Sequence, residues 1–337
     1  MRTGAVVVHR RRVPTTPLEN RVLIVTGASR RVAIGAAVAR RAVADGAAVL
    51  LHSWVPYDLG QPWGGDVEGP QALVEELRRQ GGRVEHVSAD LADPDAPAAL
   101  VEAARAAFGH VDGVVANHAR SIGQTLENLT AEELDAGFAV NTRATLLLVK
   151  AFAEQHDDRR RGGRVLLFTS GQYHGAMPAE LPYIASKAAL HEITRSLAVH
   201  LIRRGITVNC VNPGPNDTGY ADDTVRAAVA ALNPGGRWST PTDTAALVVA
   251  RVQQMGRRGG ILVIPKRNRE IGGARVQEGV VSIMERHRGC GVEAGGRGSI
   301  STAVVGRRIV ALDVVAIARG IDPVGHVLMG RGVVHRA

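Results

Sequence analysis

The chain has 337 residues, 45% of them hydrophobic, enough to bury a substantial core in one large domain or two smaller ones. Its net charge of +9 is local: residues 1 to 250 hold 26 basic and 26 acidic side chains, residues 251 to 337 hold 15 and 6, and so the body carries no basic surplus for nucleic acid or anionic lipid. Apolar runs fall short of 18 residues, and Cys210 and Cys290, 80 positions apart, form neither a disulfide framework nor metal-ligand spacing, so a cytoplasmic protein with no membrane span and no metal centre is expected.

From the N-terminus, "MRTGAVVVHRRRVP" places a short apolar run before its arginines, the wrong order for a secretory signal, and residues 1–18 read as an extension. Beyond it, "RVLIVTG", "AAVLLHSW", "RVEHVSAD", "VDGVVANHA", "GRVLLFTS" and "ITVNCVNPG" read as six strands, with "GGILVIP" at 259 to 265 as a seventh. Helical periodicity fills the gaps, in "IGAAVARRAVADG", "GPQALVEELRRQGG", "DAPAALVEAARAAFG" and "LTAEELDAGFAVNTRATLLLVKAFAEQ". Strands separated by helices imply parallel crossovers, hence an α/β fold with a doubly wound, Rossmann-like parallel sheet over residues 19–265. Ligands of such sheets bind at the carboxyl ends of the strands, which singles out Thr26-Gly27, Asp90, Asn117, Ser170 and Pro213-Gly214.

"VTGASRRVAIG" follows the first strand and opens the first helix, the context of a phosphate-binding turn in which backbone N–H groups face a pyrophosphate. Gly27, Ser29 and Gly35 are its candidate contacts, and Ala33 stands where a further glycine would be expected. A plain glycine turn would look the same. The second strand ends in His52-Ser53-Trp54, without the acid that holds the ribose 2′-hydroxyl of NAD. A 2′-phosphate is then admissible beside Ser53, with Arg30 or Arg31 to pair with it, so NADP is preferred over NAD.

Further on, "LPYIASKAALHEITRSL" repeats apolar residues at Leu190, Ile193, Leu197 and Leu201, an amphipathic helix ending near Gly205. Tyr183 and Lys187 lie four apart on one face of it. An ammonium beside a phenol lowers the tyrosine pKa from about 10 and suits a proton donor, although a half-buried tyrosine next to a solvated lysine fits the pair alone. After about residue 251 the composition changes: no aromatic follows Trp238, and Gly and Arg recur. Residues 266–337 read as a basic tail, a flexible appendage or an out-of-frame stretch of GC-rich coding sequence. The absence of stacking aromatics argues against nucleic-acid binding.

Taken in order, the glycine loop, Asp90, Asn117, Asn141 in "FAVNTRATLLL", Ser170 thirteen residues before Tyr183, Lys187 and "NPGPNDTG" strongly resemble the short-chain dehydrogenase/reductase family over roughly residues 19 to 250. The phrases "FTSGQYHGAMPAELPYIASKAAL" and "ITVNCVNPGPNDTGY" are most similar to its 3-oxoacyl-acyl carrier protein reductases. Two departures stand out: the family's Asn-Asn-Ala-Gly appears as "ANHA", with Ala119 for glycine, and the loop lacks its middle glycine. The resemblance implies hydride transfer between NADPH and a ketone or acyl thioester, with Ser170 and Tyr183 holding the carbonyl oxygen and Tyr183 delivering the proton. It further implies that Lys187 holds the nicotinamide ribose and that Asn141 anchors a water. Thr218, after Pro213 and Gly214, would hold the carboxamide, and Asp90 would meet the adenine. A homodimer or homotetramer is implied too. His118 and His174 are read as bystanders without partners, and a non-catalytic dinucleotide-binding protein is the alternative function.

Overall fold

The computed structural model describes residues 16–160, 162–221, 223–232 and 237–253, with short strands at 260–263, 270–271 and 274–275. Seven strands, β1 (Val22–Val25), β2 (Ala48–Ser53), β3 (Val84–Ser88), β4 (Gly113–Ala116), β5 (Arg164–Phe168), β6 (Thr207–Asn212) and β7 (Gly260–Val263), form one parallel sheet in the order β3-β2-β1-β4-β5-β6-β7. All seven apolar runs of the sequence are therefore strands. The order reverses between β1 and β4, and this switch point opens a crevice at the strands' carboxyl ends.

Because side chains alternate along a strand, each one feeds two cores. Leu23 and Val25 face the layer built by α1 (Ile34–Ala44), α3 (Gly69–Arg79) and α9 (Pro241–Gln253), through Val38, Ala39, Leu73, Leu77 and Val248. Ile24 and Val114 face the opposite layer, where α4 (Ala96–Phe108), α6 (Ala144–Gln155) and α7 (Leu181–Leu201) contribute Leu100, Leu148, Phe152 and Leu201. The small residues of α1 let it lie close to the sheet. Leu18, assigned above to the extension, is 1% exposed and donates its backbone N–H to Asp45, so core packing starts before residue 19.

At the sheet's amino edge, fully buried Asp112 accepts from the backbone N–H of Val22 at 2.9 Å and from Arg160 Nε at 3.0 Å, with His110 Nε2 3.1 Å away. The carboxylate thus ties β1 to β4 opposite the crevice. The long helix from the sequence is α7, which tightens into a 3₁₀ turn at Ile202–Arg204 and stops at Gly205, φ 72°, where the left-handed backbone suits glycine.

Four features add to or depart from the expected elements. A short α2 (Val55–Leu59) lies in the β2–α3 connection, a π-helical turn (Phe138–Arg143) joins α5 (Ala131–Gly137) to α6, and α8 (Asp223–Leu232) follows β6. An antiparallel pair, β8 (Glu270–Ile271) and β9 (Ala274–Arg275), falls beyond residue 265, inside the stretch assigned to the tail. Residues 276–337 lie outside the described residues. Among those described, no helix is long and apolar enough to cross a membrane.

Phe152 is 0% exposed and fills the layer between α4, α6 and β5. Truncation removes most of a large buried side chain and leaves a cavity, so Phe152→Ala should destabilise the fold by about 3–5 kcal/mol, read as a lower urea midpoint at unchanged slope.

Candidate functional site

The loop from Thr26 to Ala33 carries the chain from β1 into α1. Gly27 takes φ 72°, and a Cβ there would lie 2.8 Å from the Cα of His118; at Gly35 it would lie 2.3 Å from the carbonyl oxygen of Gly27. Both glycines are required by close backbone approach. The N-cap of α1, Ala33, supplies no side-chain hydrogen bond, so the first N–H groups of the helix stay open toward the crevice.

Asn117 and His118 hold this loop from below. The Asn117 amide donates to the carbonyls of Thr26 and Gly27, both at 3.1 Å, and the backbone N–H groups of residues 117 and 118 donate to Thr26 Oγ1. Burial keeps His118 neutral, its pKa well below the usual value. Its Nε2 donates to the carbonyl of Val140 at 3.0 Å, which leaves Nδ1 to accept from Thr26 Oγ1 at 2.7 Å. His118 is therefore a structural bridge with two partners, against the reading that it has none; His174 has Tyr173 beside it, ring centroids 4.1 Å apart. His52, which sequence reasoning passed over, makes a second bridge. Buried and with a pKa of about 4, it accepts from the Gly27 N–H at Nδ1 and donates from Nε2 to the carbonyl of Ala89, joining the glycine loop to β2 and β3.

A cavity of about 490 Å³ runs above these residues, lined by Gly27, Ser29, Asp90, Asn117 and Thr218 together with Tyr57, Asp58 and Trp63. Of the expected cofactor contacts, Arg31, Gly35, Ser53, Pro213 and Gly214 are not in its wall. Ser53 pairs its hydroxyl with His86 Nε2 at 2.8 Å. The arginines expected to pair with a phosphate are both engaged: Arg30 Nε lies 3.3 Å from Asp58, and Arg31 Nε 2.8 Å from Asp66. Both acids come from the connection between β2 and α3, fifteen residues long (54 to 68), whose length and cluster of Trp54, Tyr57 and Trp63 were the available signal. Tyr57 pins that connection across the crevice, accepting from the N–H of Ser121 at 2.8 Å and donating to its carbonyl at 2.9 Å. Arg30 also donates to the carbonyl of Thr218 at 3.0 Å.

A second cavity, of about 440 Å³, shares Arg30, Ile34, Trp63, Ser121 and Thr218 with the first and is walled by Ser170, Tyr183, Pro213 and Gly214. Ser170 and Tyr183 both line this cavity, near enough for the serine hydroxyl to act on the phenol. Although the ring is only partly buried, the phenol itself is desolvated, which pushes its pKa up to about 12; the Ser170 hydroxyl offsets part of this. The lysine expected to lower that pKa does not reach the phenol oxygen. Lys187 is 2% exposed, its Nζ donates to the carbonyl of Phe168 at 3.2 Å and sits 5.8 Å from the Tyr183 ring centroid, and burial brings its pKa down to about 8. Tyr183 is thus a neutral phenol, a proton donor rather than a phenolate, throughout ordinary pH.

Asn141 sits in the π turn, 0% exposed. Its Oδ1 accepts from the N–H of Arg120 at 2.7 Å, and its Nδ2 donates to the carbonyl of Arg120 and to Ser186 Oγ, both at 2.8 Å. With both amide hydrogens used, Asn141 has none left to give a water, and its position ties the 117–121 loop to α7. Asn141→Ala should cost about 2–4 kcal/mol in urea unfolding, because it strands buried polar groups on two elements.

Crevice, open helix terminus and adjoining hydroxyl pair are those of a dinucleotide-dependent oxidoreductase. A family profile described as short chain dehydrogenase matches residues 21–228. The uncharacterized oxidoreductase YjdA of Bacillus subtilis is 33% identical over 231 residues, covering 68% of this chain and 88% of that protein. Versicolorin reductase of Emericella nidulans is 30% identical, with 68% and 88% covered. The crystal structure of a short chain dehydrogenase from Burkholderia cenocepacia in complex with NADP aligns with a TM-score of 0.65 at 34% identity, covering 74% of this chain and 97% of that one. The chain belongs to the short-chain dehydrogenase/reductase family.

Proposed function

We propose that this protein is an NADPH-dependent carbonyl reductase, moving hydride between NADPH and a ketone or, in reverse, from a secondary alcohol to NADP. The pair Ser170 and Tyr183, together in the wall of a cavity that opens into the dinucleotide crevice, carries this reading. The open N-terminus of α1 and the cavity lined by Gly27, Ser29, Asp90 and Asn117 fit a dinucleotide, whose bound form supplies the hydride. Ser53 in place of an acid, and the NADP complex of the Burkholderia relative, support NADP over NAD. Arg30 and Arg31 would then trade Asp58 and Asp66 for phosphate oxygens.

As negative charge grows on the substrate oxygen, Ser170 and Tyr183 donate to it, and the neutral phenol gives up its proton. Lys187, buried below the tyrosine ring and charged at neutral pH, stabilises the phenolate left behind and occupies the place of a ribose contact. Asn141 positions α7 and the 117–121 loop around them. Thr218, Pro213 and Gly214 close the nicotinamide side. Phrase similarity to the 3-oxoacyl-acyl carrier protein reductases favours an acyl thioester substrate, whereas Trp63 and Tyr220 in the cavity wall favour an aromatic one. A cytoplasmic homodimer or homotetramer, with residues 266–337 outside the catalytic unit, completes the reading.

Tyr183→Phe should lower kcat for NADPH-dependent reduction of a diketone to below about a tenth of wild type while NADPH affinity, titrated by fluorescence, stays within about threefold. A variant that keeps more activity would place the proton donor elsewhere. Lys187, with a pKa of about 8, is charged below that pH and neutral above it. Reduction should therefore hold level below pH about 8 and fall by about tenfold per unit above it, with no limb from Tyr183 in that range.

A further inference from the structure

The substrate cavity is aromatic to a degree that a chain with three tryptophans and four tyrosines does not lead one to expect. Trp63, from the β2–α3 connection, lines both cavities, and Tyr220 and Tyr183 line the second. Trp63 meets Tyr220 edge-on, centroids 6.4 Å apart at 75°, and Tyr220 meets Trp238 at 5.8 Å and 60°. The two ends of this row are anchored. Trp63 Nε1 donates to Asp58 at 3.1 Å while the Arg30 guanidinium lies 5.6 Å from its ring centroid, and Trp238, 7% exposed, donates to the carbonyl of Arg226 at 2.9 Å. Tyr220 between them is 47% exposed, so the middle of the row offers uncovered ring surface beside the cavity. Met177, Ile34 and Pro215 supply the remaining apolar wall, and the hydroxyls of Ser170 and Tyr183 are the polar groups that aim a carbonyl.

Resting on the carbonyl-reductase reading, we infer that the substrate is a flat aromatic ketone, held against Trp63 and Tyr220 with its carbonyl directed to Ser170 and Tyr183. Ring edges and faces attract a planar π system in offset or edge-on geometry and add little for a flexible acyl chain. An acyl carrier protein is acidic and needs a basic docking face, whereas the body of this chain balances 26 basic with 26 acidic side chains over residues 1 to 250.

The test is steady-state NADPH oxidation by the full chain with three carbonyls: 1-tetralone, acetoacetyl-CoA and butanedione. Wild type should show kcat/KM at least about tenfold higher for the tetralone than for acetoacetyl-CoA. Trp63→Ala should lower the ratio of tetralone to butanedione kcat/KM by about tenfold, mainly through KM, and Trp63→Phe should restore most of it. Reduction of butanedione and acetoacetyl-CoA without turnover of the tetralone overturns this inference and leaves the reductase standing, as does a Trp63→Ala ratio equal to wild type. Oxidation of NADPH by none of the three carbonyls overturns the reductase reading, and this one with it.

Discussion

Everything at the crevice depends on how closely α1 approaches the end of β1. Gly35 lies against the carbonyl of Gly27 with no room for a methyl group, and Gly27 in turn lies against the backbone of His118. Three backbone segments, the glycine loop, the start of α1 and the end of β4, therefore touch directly. The Asn117 amide and the Thr26 hydroxyl lock that contact by hydrogen bonds, so the open helix terminus is set by covalent geometry and packing rather than by flexible side chains. A site built this way needs little rearrangement to meet an anion.

Burial then decides the charges. His52 and His118 could carry protons on the surface, but each is held neutral and used as a donor on one nitrogen and an acceptor on the other. Tyr183 and Lys187 are shifted in opposite directions, and both shifts are caused first by desolvation. The result is a phenol that keeps its proton and a lysine poised near neutrality, an acid and its stabiliser separated by environment.

How much of this could be read from the chain follows from the range of each interaction. Strand ends such as Ser170 and Asn117 were legible because an apolar run of period two or a solid apolar run stops there, and α7 was legible because Leu190, Ile193, Leu197 and Leu201 keep helical spacing and Gly205 ends it. The ion pair of Arg31 was not legible because its partner Asp66 lies 35 residues away in a connection without periodicity. For the same reason Trp63 and Tyr220 gave no hint of meeting. The effect of Lys187 on Tyr183 was overestimated because sequence spacing reports a shared helix face, not whether an ammonium points at a ring or at an oxygen.

The π turn at Phe138–Arg143 bears on how this protein can change over generations. A π turn is an α-helix holding one surplus residue, and each residue of a helix turns the chain by about 100°. Point substitutions on its outward side leave the count intact. Loss of a single codon would relax the turn into a regular helix and rotate α5 against α6, swinging the amide of residue 141 away from Arg120 and Ser186 while leaving the amphipathic pattern on either side readable. The outward side of the segment is thus permissive to replacement while the segment as a whole is intolerant of deletion, a length constraint that no single side chain expresses.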